Sequence, residues 1–504
     1  MKTLSQDALI VAPRQELVNT ILSMKAEIEK LQGRLTEVEF QFEWYKRQMF
    51  GQKTERFIPS NDLQTQLELG TESNPPVVAK TQTVSYERTQ QKTEEVKKGH
   101  GRGPMPTHLP YVDVYLEPTE DVRECVCIGE EVTWEYEVER NALKVKRYIR
   151  KKYARLDDNG VAIAELPARP IEKGNAGPGF MAQVTIDKFV YHIPLDRQRK
   201  KFKNEYNVDF SESWLSDIVK HTAFWVEPVY NTYVRNLLMS TYIQADETPI
   251  QVLTTDHKGK THRGYFWVYH DPLNRIVLFD YRKSRSSDGP QEFLKDFKGV
   301  LQVDGYEGYN PVIISKECTR AACMDHVRRK FEYALDYDKV RCSYALEIIG
   351  TWYKVEREAK ENELSLDERF TLRTKHSVPS MENFKKWLNT EILKVLPKSP
   401  IGNALSYALN QWPYFKPFMT DSRIELSNIL IENAIRPVAI GRKNYMFKGS
   451  HEAAQRAAMI YSLTSIAKNH GYDPFIYFKD LLSKLPKAKS NQIDPFLIPN
   501  WKPE

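Results

Sequence analysis

The chain has 504 residues, 41% hydrophobic and 28% charged, with 22 Gly and 28 Pro; at about 150 residues per domain this is three or four domains of ordinary composition, which excludes a collagen-like or wholly disordered chain. Five Cys are too few for a disulfide framework and no apolar run approaches the ~20 residues of a membrane span, so a soluble, cytoplasmic protein with no membrane partner is expected. The formal net charge of +6 permits nucleic-acid binding without requiring it, so where the charges cluster matters more than their sum.

Leu17, Ile21, Met24, Ile28, Leu31, Leu35, Val38, Phe42, Tyr45 and Met49 alternate in steps of four and three, the spacing of a coiled-coil seam. Residues 1–58 are therefore expected to drive self-association, at least to a dimer. From 59 to 98 the periodicity disappears among Gln, Thr, Glu, Lys, Ser and Pro, the composition of a flexible linker. Residues 99–165 form a β-rich segment that includes VTWEYEVE and LKVKRYIRKKYARL. The second run carries Lys146, Arg147, Arg150 and Lys151 with Tyr148 and Tyr153 interleaved; this suits either DNA-backbone contacts or a solvated strand face.

Residues 166–240 read as helical, with Ser211 or Ser213 as a cap. STYIQADETPIQVL, HRGYFWVYH, NRIVLFDYR and KGVLQVDGYEGY then give three strands, a helix in QEFLKDF, and a fourth strand, a mixed α/β unit over 241–325. Residues 326–422 are long and helix-like. The last segment, 423–504, is helical again, with Gly471 a stop signal and Asp473–Pro474 a start signal.

Asp246 ends the run LLMSTYIQA and Asp304 ends GVLQV, so both carboxylates are expected at or near strand ends, although Asp-Glu-Thr-Pro and Asp-Gly are also good turns. Glu432 lies on a helix among Ile429, Leu430, Ile431 and Ile435. Oxygen ligands without His or Cys suit Mg²⁺ or Mn²⁺, and two such ions would support phosphoryl transfer. Pro437 is expected to kink or end that helix, leaving Gly441, Arg442, Lys443 and Asn444 as a basic loop suited to phosphate contacts. Cys318, Cys323 and His326 supply three candidate zinc ligands where four are needed, and Cys125 and Cys127 lack two partners, so no zinc is expected.

In order and spacing, QADETPI, LQVDGYEGYN, CMDHVRRKF and IENAIRPVAIGRKNYMFKGS resemble the signatures of the insertion sequence 66 family of bacterial DDE transposases. MFGQKTERF, GRGPMPTHLP, GPGFMAQVTIDKFVYHIPLDRQ and AAMIYSLTSIAKNHGYDPFIYFKDLL extend the likeness over nearly the whole chain. The resemblance implies a ribonuclease H-like α/β catalytic domain interrupted by an α-helical insertion, with an N-terminal coiled coil and a small β-rich module. Asp246, Asp304 and Glu432 would be its metal-binding triad. It makes His326 a residue beside the site and Arg328, Arg329, Arg436, Arg442 and Lys443 DNA contacts. Family members usually carry cysteine pairs in the β-rich module, and here only Cys125 and Cys127 remain.

Two functions follow as expectations. The first is an enzyme that binds its element's terminal repeats, hydrolyses a phosphodiester to expose a 3′-hydroxyl and joins it to target DNA, with accessory proteins of the element as possible partners. The alternative is a non-catalytic, transposase-derived protein that binds DNA and oligomerises. A nuclease that cuts without joining would share the same triad.

Overall fold

A long antiparallel hairpin is the centre of the first sheet in the computed structural model, which describes residues 105–503 apart from 124, 140–141, 155–160, 254–259, 315–317 and 490–491. These residues belong to one compact unit, 103–504; the coiled-coil and linker expectations lie outside the described residues. Strands β2 (Val126–Glu139) and β3 (Ala142–Ala154) form the hairpin, β1 (Tyr111–Leu116) pairs parallel with β3, and β4 (Val161–Ile163) adds to the end of β3. Period-2 alternation buries Tyr136, Val138, Leu143 and Val145 on one face. That face meets α1 (Pro178–Phe189), whose start is glycine-rich because backbone must touch backbone. A Cβ on Gly179 would lie 2.5 Å from Val138 O, and one on Gly177 2.9 Å from Tyr136 O.

After α2 (Leu195–Tyr206) comes α3 (Glu212–Leu238), capped by Ser211, whose hydroxyl accepts from Trp214 N at 3.2 Å. It leads into a five-stranded sheet: β5 (Tyr242–Leu253), β6 (Thr261–Asp271), β7 (Ile276–Arg282), β8 (Gly299–Gln302) and β9 (Cys318–Ala321), with α4 (Asp288–Phe293) and α5 (Asn310–Ile314) between. The strand order is β7-β6-β5-β8-β9; the first three are antiparallel and the last two join β5 in parallel. The edge strand β7 is covered. Phe279 N donates to Ser462 Oγ on α12 (His451–Asn469) at 2.8 Å, and Tyr230 of α3 donates to Phe279 O at 2.8 Å, so the edge offers fewer free groups to another strand. Then α13 (Pro474–Lys484) packs on α1 and α3, with Asp473 accepting from Phe475 N at 2.8 Å as its cap.

Between β9 and residue 428 the chain builds a second apolar core from α6 (Met324–Ala334), α7 (Lys339–Glu361), α8 (Leu366–Glu391), α9 (Pro400–Gln411) and α10 (Lys416–Thr420). Phe331, Trp352, Phe384, Leu405 and Trp412 fill it. The block is tied to the sheet where it begins and ends: Met324 N donates to Leu426 O at 3.0 Å and Ala322 N to Tyr414 O at 2.9 Å.

Two sequence expectations are corrected. Asp246 does not close its strand; β5 runs on through Glu247, Thr248 and Pro249 to Leu253. Beyond Gln244 the β8 side of β5 is unpaired, which lets a strand accommodate a proline. Farther along, Lys448 N donates to Gln251 O at 2.8 Å and accepts Leu253 N at 2.9 Å through its own carbonyl. The second correction concerns the expected basic loop. Helix α11 (Ile429–Tyr445) continues through Pro437, and Gly441, Arg442, Lys443 and Asn444 form its last turns. A mid-helix proline costs about 3 kcal/mol; burial of Ile431, Val438 and Gly441 against the sheet offsets it.

Candidate active site

Alternation along β5 puts Tyr242, Gln244 and Asp246 on one face of the strand, and the first two are hydrogen-bonded into a buried polar network. Gln244 Nε2 donates to Gln302 Oε1 at 2.9 Å and to Ser427 O at 3.2 Å; Gln302 Nε2 donates to Ala322 O at 2.9 Å and Glu425 O at 2.8 Å; the Tyr242 hydroxyl accepts from Glu425 N at 3.1 Å. Gln244 and Gln302 each stand two residues before an aspartate, and the 425–427 segment stands just before α11. One network thus sets the positions of Asp246, Asp304 and the helix that bears Glu432.

The three carboxylates share one electrostatic field. Burial, then the neighbouring Glu247 and Asp304 charges, and also Glu432, push the Asp246 carboxyl well above the ordinary range. Its Oδ1 accepts from Glu247 N at 2.8 Å. Asp304 Oδ1 accepts from Tyr306 N at 2.9 Å, while its carbonyl accepts from Arg320 at 2.6 Å. Glu432, in the first turn of α11, is ion-paired with Arg329 of α6. His326, one turn before Arg329, faces Asp304 and Glu432; burial above all keeps its imidazole below the usual pKa, and its Nδ1 is buried without a hydrogen-bond partner.

Among the described residues no three His, Cys, Asp or Glu side chains are gathered closely enough to hold a metal ion as they stand. Glu432 is engaged by Arg329 instead. The donor chemistry nevertheless fits a hard divalent cation: the donors are all oxygen, and Asp246 is a half-buried carboxylate whose carboxylate neighbours oppose its ionisation, a repulsion that a cation reverses. The thiols fit zinc less well. Cys323 accepts from Asn428 N at 3.4 Å and burial pushes its pKa up to about 12, which keeps it protonated, whereas a zinc ligand is a thiolate.

Sequence reasoning missed Glu247. It is buried, paired with Arg285 (Nε to Oε1, 2.8 Å), and accepts from the Tyr309 hydroxyl at 3.0 Å; the Arg285 guanidinium lies 3.9 Å from the Tyr306 ring centroid. This brace fastens the 304–309 loop beside Asp304. Its only sequence signal is the pair of tyrosines in DGYEGYN beside the DE dipeptide.

The basic candidates divide by their partners. Arg436 and Lys443 are exposed on α11. Arg328 pairs with Glu332 at 3.0 Å on its own helix. Arg442 donates to Thr248 Oγ1 at 3.0 Å and to Pro249 O, so it fastens α11 to β5. On β3 every member of the expected stripe meets an acid across the sheet: Lys146–Glu137 at 3.1 Å, Arg147–Asp113 with Nε–Oδ1 at 2.7 Å, Arg150–Glu131 at 2.6 Å and Lys151–Glu117 at 3.7 Å. A phosphate reaching this strand must displace those carboxylates. Replacing all four cations by Ala is therefore expected to reduce the slope of log K against log salt by clearly less than the ~0.9 per contact of a free cation, as a fluorescence-anisotropy salt series would measure.

A family model described as Transposase IS66 family matches residues 173–456, and another, described as Transposase C of IS166 homeodomain, matches 37–114. Among relatives in Sinorhizobium fredii, the uncharacterized protein y4jD is 29% identical over 503 residues, covering 94% of this chain and 96% of its own. The uncharacterized protein y4hP is 27% identical over 505 residues, covering 93% and 89%. The first model takes in more than half of the chain, from the approach to α1 through the first turn of α12, and all three carboxylates with it; the chain belongs to the IS66 family of transposases.

Proposed function

We propose that this protein is a catalytically competent DDE transposase that cuts the ends of its element and joins the exposed 3′-hydroxyls to target DNA. The observation that carries the reading is the placing of half-buried Asp246 within the field of Asp304 and Glu432. A sheet of three antiparallel strands extended by two parallel ones, with α11 bearing the third carboxylate, supports a ribonuclease H-like catalytic domain, interrupted by the helical block. Two Mg²⁺ or Mn²⁺ ions, held by Asp246, Asp304 and Glu432, would activate the attacking oxygen and stabilise the leaving one. Arg329, half exposed beside Glu432, exchanges its carboxylate partner for a DNA phosphate, which frees Glu432. Arg328, Arg436 and Lys443 add backbone contacts. His326 positions the site by facing Asp304 and Glu432.

Incubation of the full chain with an intact end of its element and, separately, a pre-cut end, with target DNA and Mg²⁺, is expected to yield cut and joined strands on a denaturing gel. Cutting without joining would identify a nuclease. Neither, with accessory proteins of the element supplied, would leave the non-catalytic DNA-binding reading. The seam at 17–49 is the proposed oligomerisation element; deleting residues 1–50 is expected to lower the mass measured by light scattering to that of a smaller assembly, and an unchanged mass would assign self-association elsewhere.

A further inference from the structure

A cleft of about 460 Å³ opens between α11, α12 and the β6–β7 turn. Arg275 and Lys468 line it, with Asn433, Ser465 and Asn469 as polar neighbours and Leu430 contributing apolar wall. A second cleft of about 460 Å³ lies beyond Arg275, which lines both, and adds Asn236, Asn274 and His470. Not one lining residue of either cleft is Asp or Glu. No described carboxylate pairs with Arg275 or Lys468.

The acid between the lining residues His270 and Pro272 is turned inward. Asp271 is fully buried and accepts from Leu273 N at 2.9 Å, Asn274 N at 3.1 Å and Asn274 Nδ2 at 2.7 Å, so its charge is spent on fixing the turn. That turn holds Arg275 at φ 54°, a left-handed conformation unusual for a side chain of this size, and Asn469 Nδ2 donates to Arg275 O at 3.3 Å. Lys468, exposed near the end of α12, adds to this positive field: its charge is felt at His192 together with that of Lys448. The simplest structural role for Lys468, relief of the α12 dipole, accounts for one cation at a helix end. It does not account for Arg275 or for the missing acids.

We propose that these two clefts form a track for the sugar-phosphate backbone of a DNA strand, with Arg275 and Lys468 as its phosphate contacts and the amides of Asn433 and Asn469 as further donors. Unopposed cations with amide donors are the chemistry that holds phosphate oxygens. Two clefts sharing one arginine fit a repeating phosphate better than a single anion. The α11 residues that line the cleft, Leu430, Asn433, Ala434 and Pro437, follow the i, i+3, i+4, i+7 spacing of one helix face, and Glu432 is not on it, so the track is a contact separate from the carboxylates. The proposal rests on the transposase reading but not on its chemistry.

The test uses the full chain in EDTA and a fluorescent 30-base-pair duplex of arbitrary sequence, titrated over a range of KCl concentrations. Relative to wild type, Arg275→Gln with Lys468→Gln is expected to bind roughly tenfold more weakly at low salt and to lose about 1.8 from the slope of log K against log salt, about 0.9 for each contact. Arg275→Lys with Lys468→Arg should keep the slope. Both variants should melt with the wild type, since the substituted groups are exposed. Inorganic phosphate should displace the duplex no better than chloride of equal ionic strength; specific displacement by millimolar phosphate would replace the DNA track with a small-anion site and overturn the proposal. A wild-type slope in the Gln variant, with cleavage intact in separate assays, overturns it while leaving the transposase reading in place. Absence of any DNA binding by the wild type overturns both.

Discussion

Asp246→Asn, Asp304→Asn and Glu432→Gln are each expected to lower end cleavage and strand transfer by at least about a thousandfold, because each keeps the shape of the side chain but removes a charge that the proposed divalent cations would need. Binding of end DNA should survive, since the proposed phosphate contacts come from separate basic residues. The expected loss is not equal in kind. Neutralising Asp246 or Asp304 also relieves the mutual repulsion at Asp246, so these variants should fold at least as stably as the wild type. Glu432→Gln instead leaves Arg329 without its ion-pair partner. Mg²⁺ or Mn²⁺ should support the reaction; Ca²⁺, larger and looser in its coordination, should permit binding with little chemistry. A single variant that cleaves at the wild-type rate removes that residue from the ligand set.

Arg373→Ala should destabilise the protein by about 3–5 kcal/mol, the cost of breaking a buried ion pair by removing one partner; the melting temperature would fall by on the order of 10 °C. Arg373 is fully buried. It donates to both Glu356 oxygens at 2.6 and 2.7 Å and to the carbonyls of Phe418 at 3.3 Å, Asp421 at 3.0 Å and Ile424 at 2.9 Å, so its loss leaves Glu356 with Arg369 alone and three carbonyls without this donor. Lysine should not rescue it, because an ammonium lacks the planar fork. Burial raises the Glu356 carboxyl, but hydrogen bonds and charge from Arg373 and Arg369 outweigh that and hold it below its ordinary value. A depressed folded-state pKa contributes stability above the unfolded value, near pH 4.5, and loses it as pH falls through the folded value. Arg373→Ala should therefore show a shallower loss of stability on acidification than the wild type, read as melting temperature against pH.

Elements whose pattern is local were legible in the sequence. Period-2 runs marked the strands, and Ser211 and Asp473 marked helix starts. The two misplacements share a cause: a proline was read by its own propensity, whereas its tolerance is decided far along the chain. Pro249 stays in a strand because β8 leaves that side of β5 unpaired there, with Lys448 pairing farther along, and Pro437 stays in a helix because the sheet packs behind it. The triad was legible as three strings, but the network of Tyr242, Gln244 and Gln302 that sets its spacing joins segments more than 180 residues apart and has no local signature. The stripe on β3 was legible as charge; its neutralisation depended on a cross-strand register that no single strand reveals.

The hydrogen bonds from Met324 to Leu426 and from Ala322 to Tyr414 bear on how such a chain can change over generations. The polypeptide departs from the sheet and returns to it at nearly the same point, so the sheet does not register how much lies between. Closing a loop of twice the length costs only about 0.6 kcal/mol more. An ancestor could gain, shorten or exchange the helices between these ties in single genetic events without moving either aspartate. Sequence divergence should accordingly run fast in residues 327–412 and slowly in the glutamines beneath the carboxylates, where one substitution disturbs all three carboxylates at once.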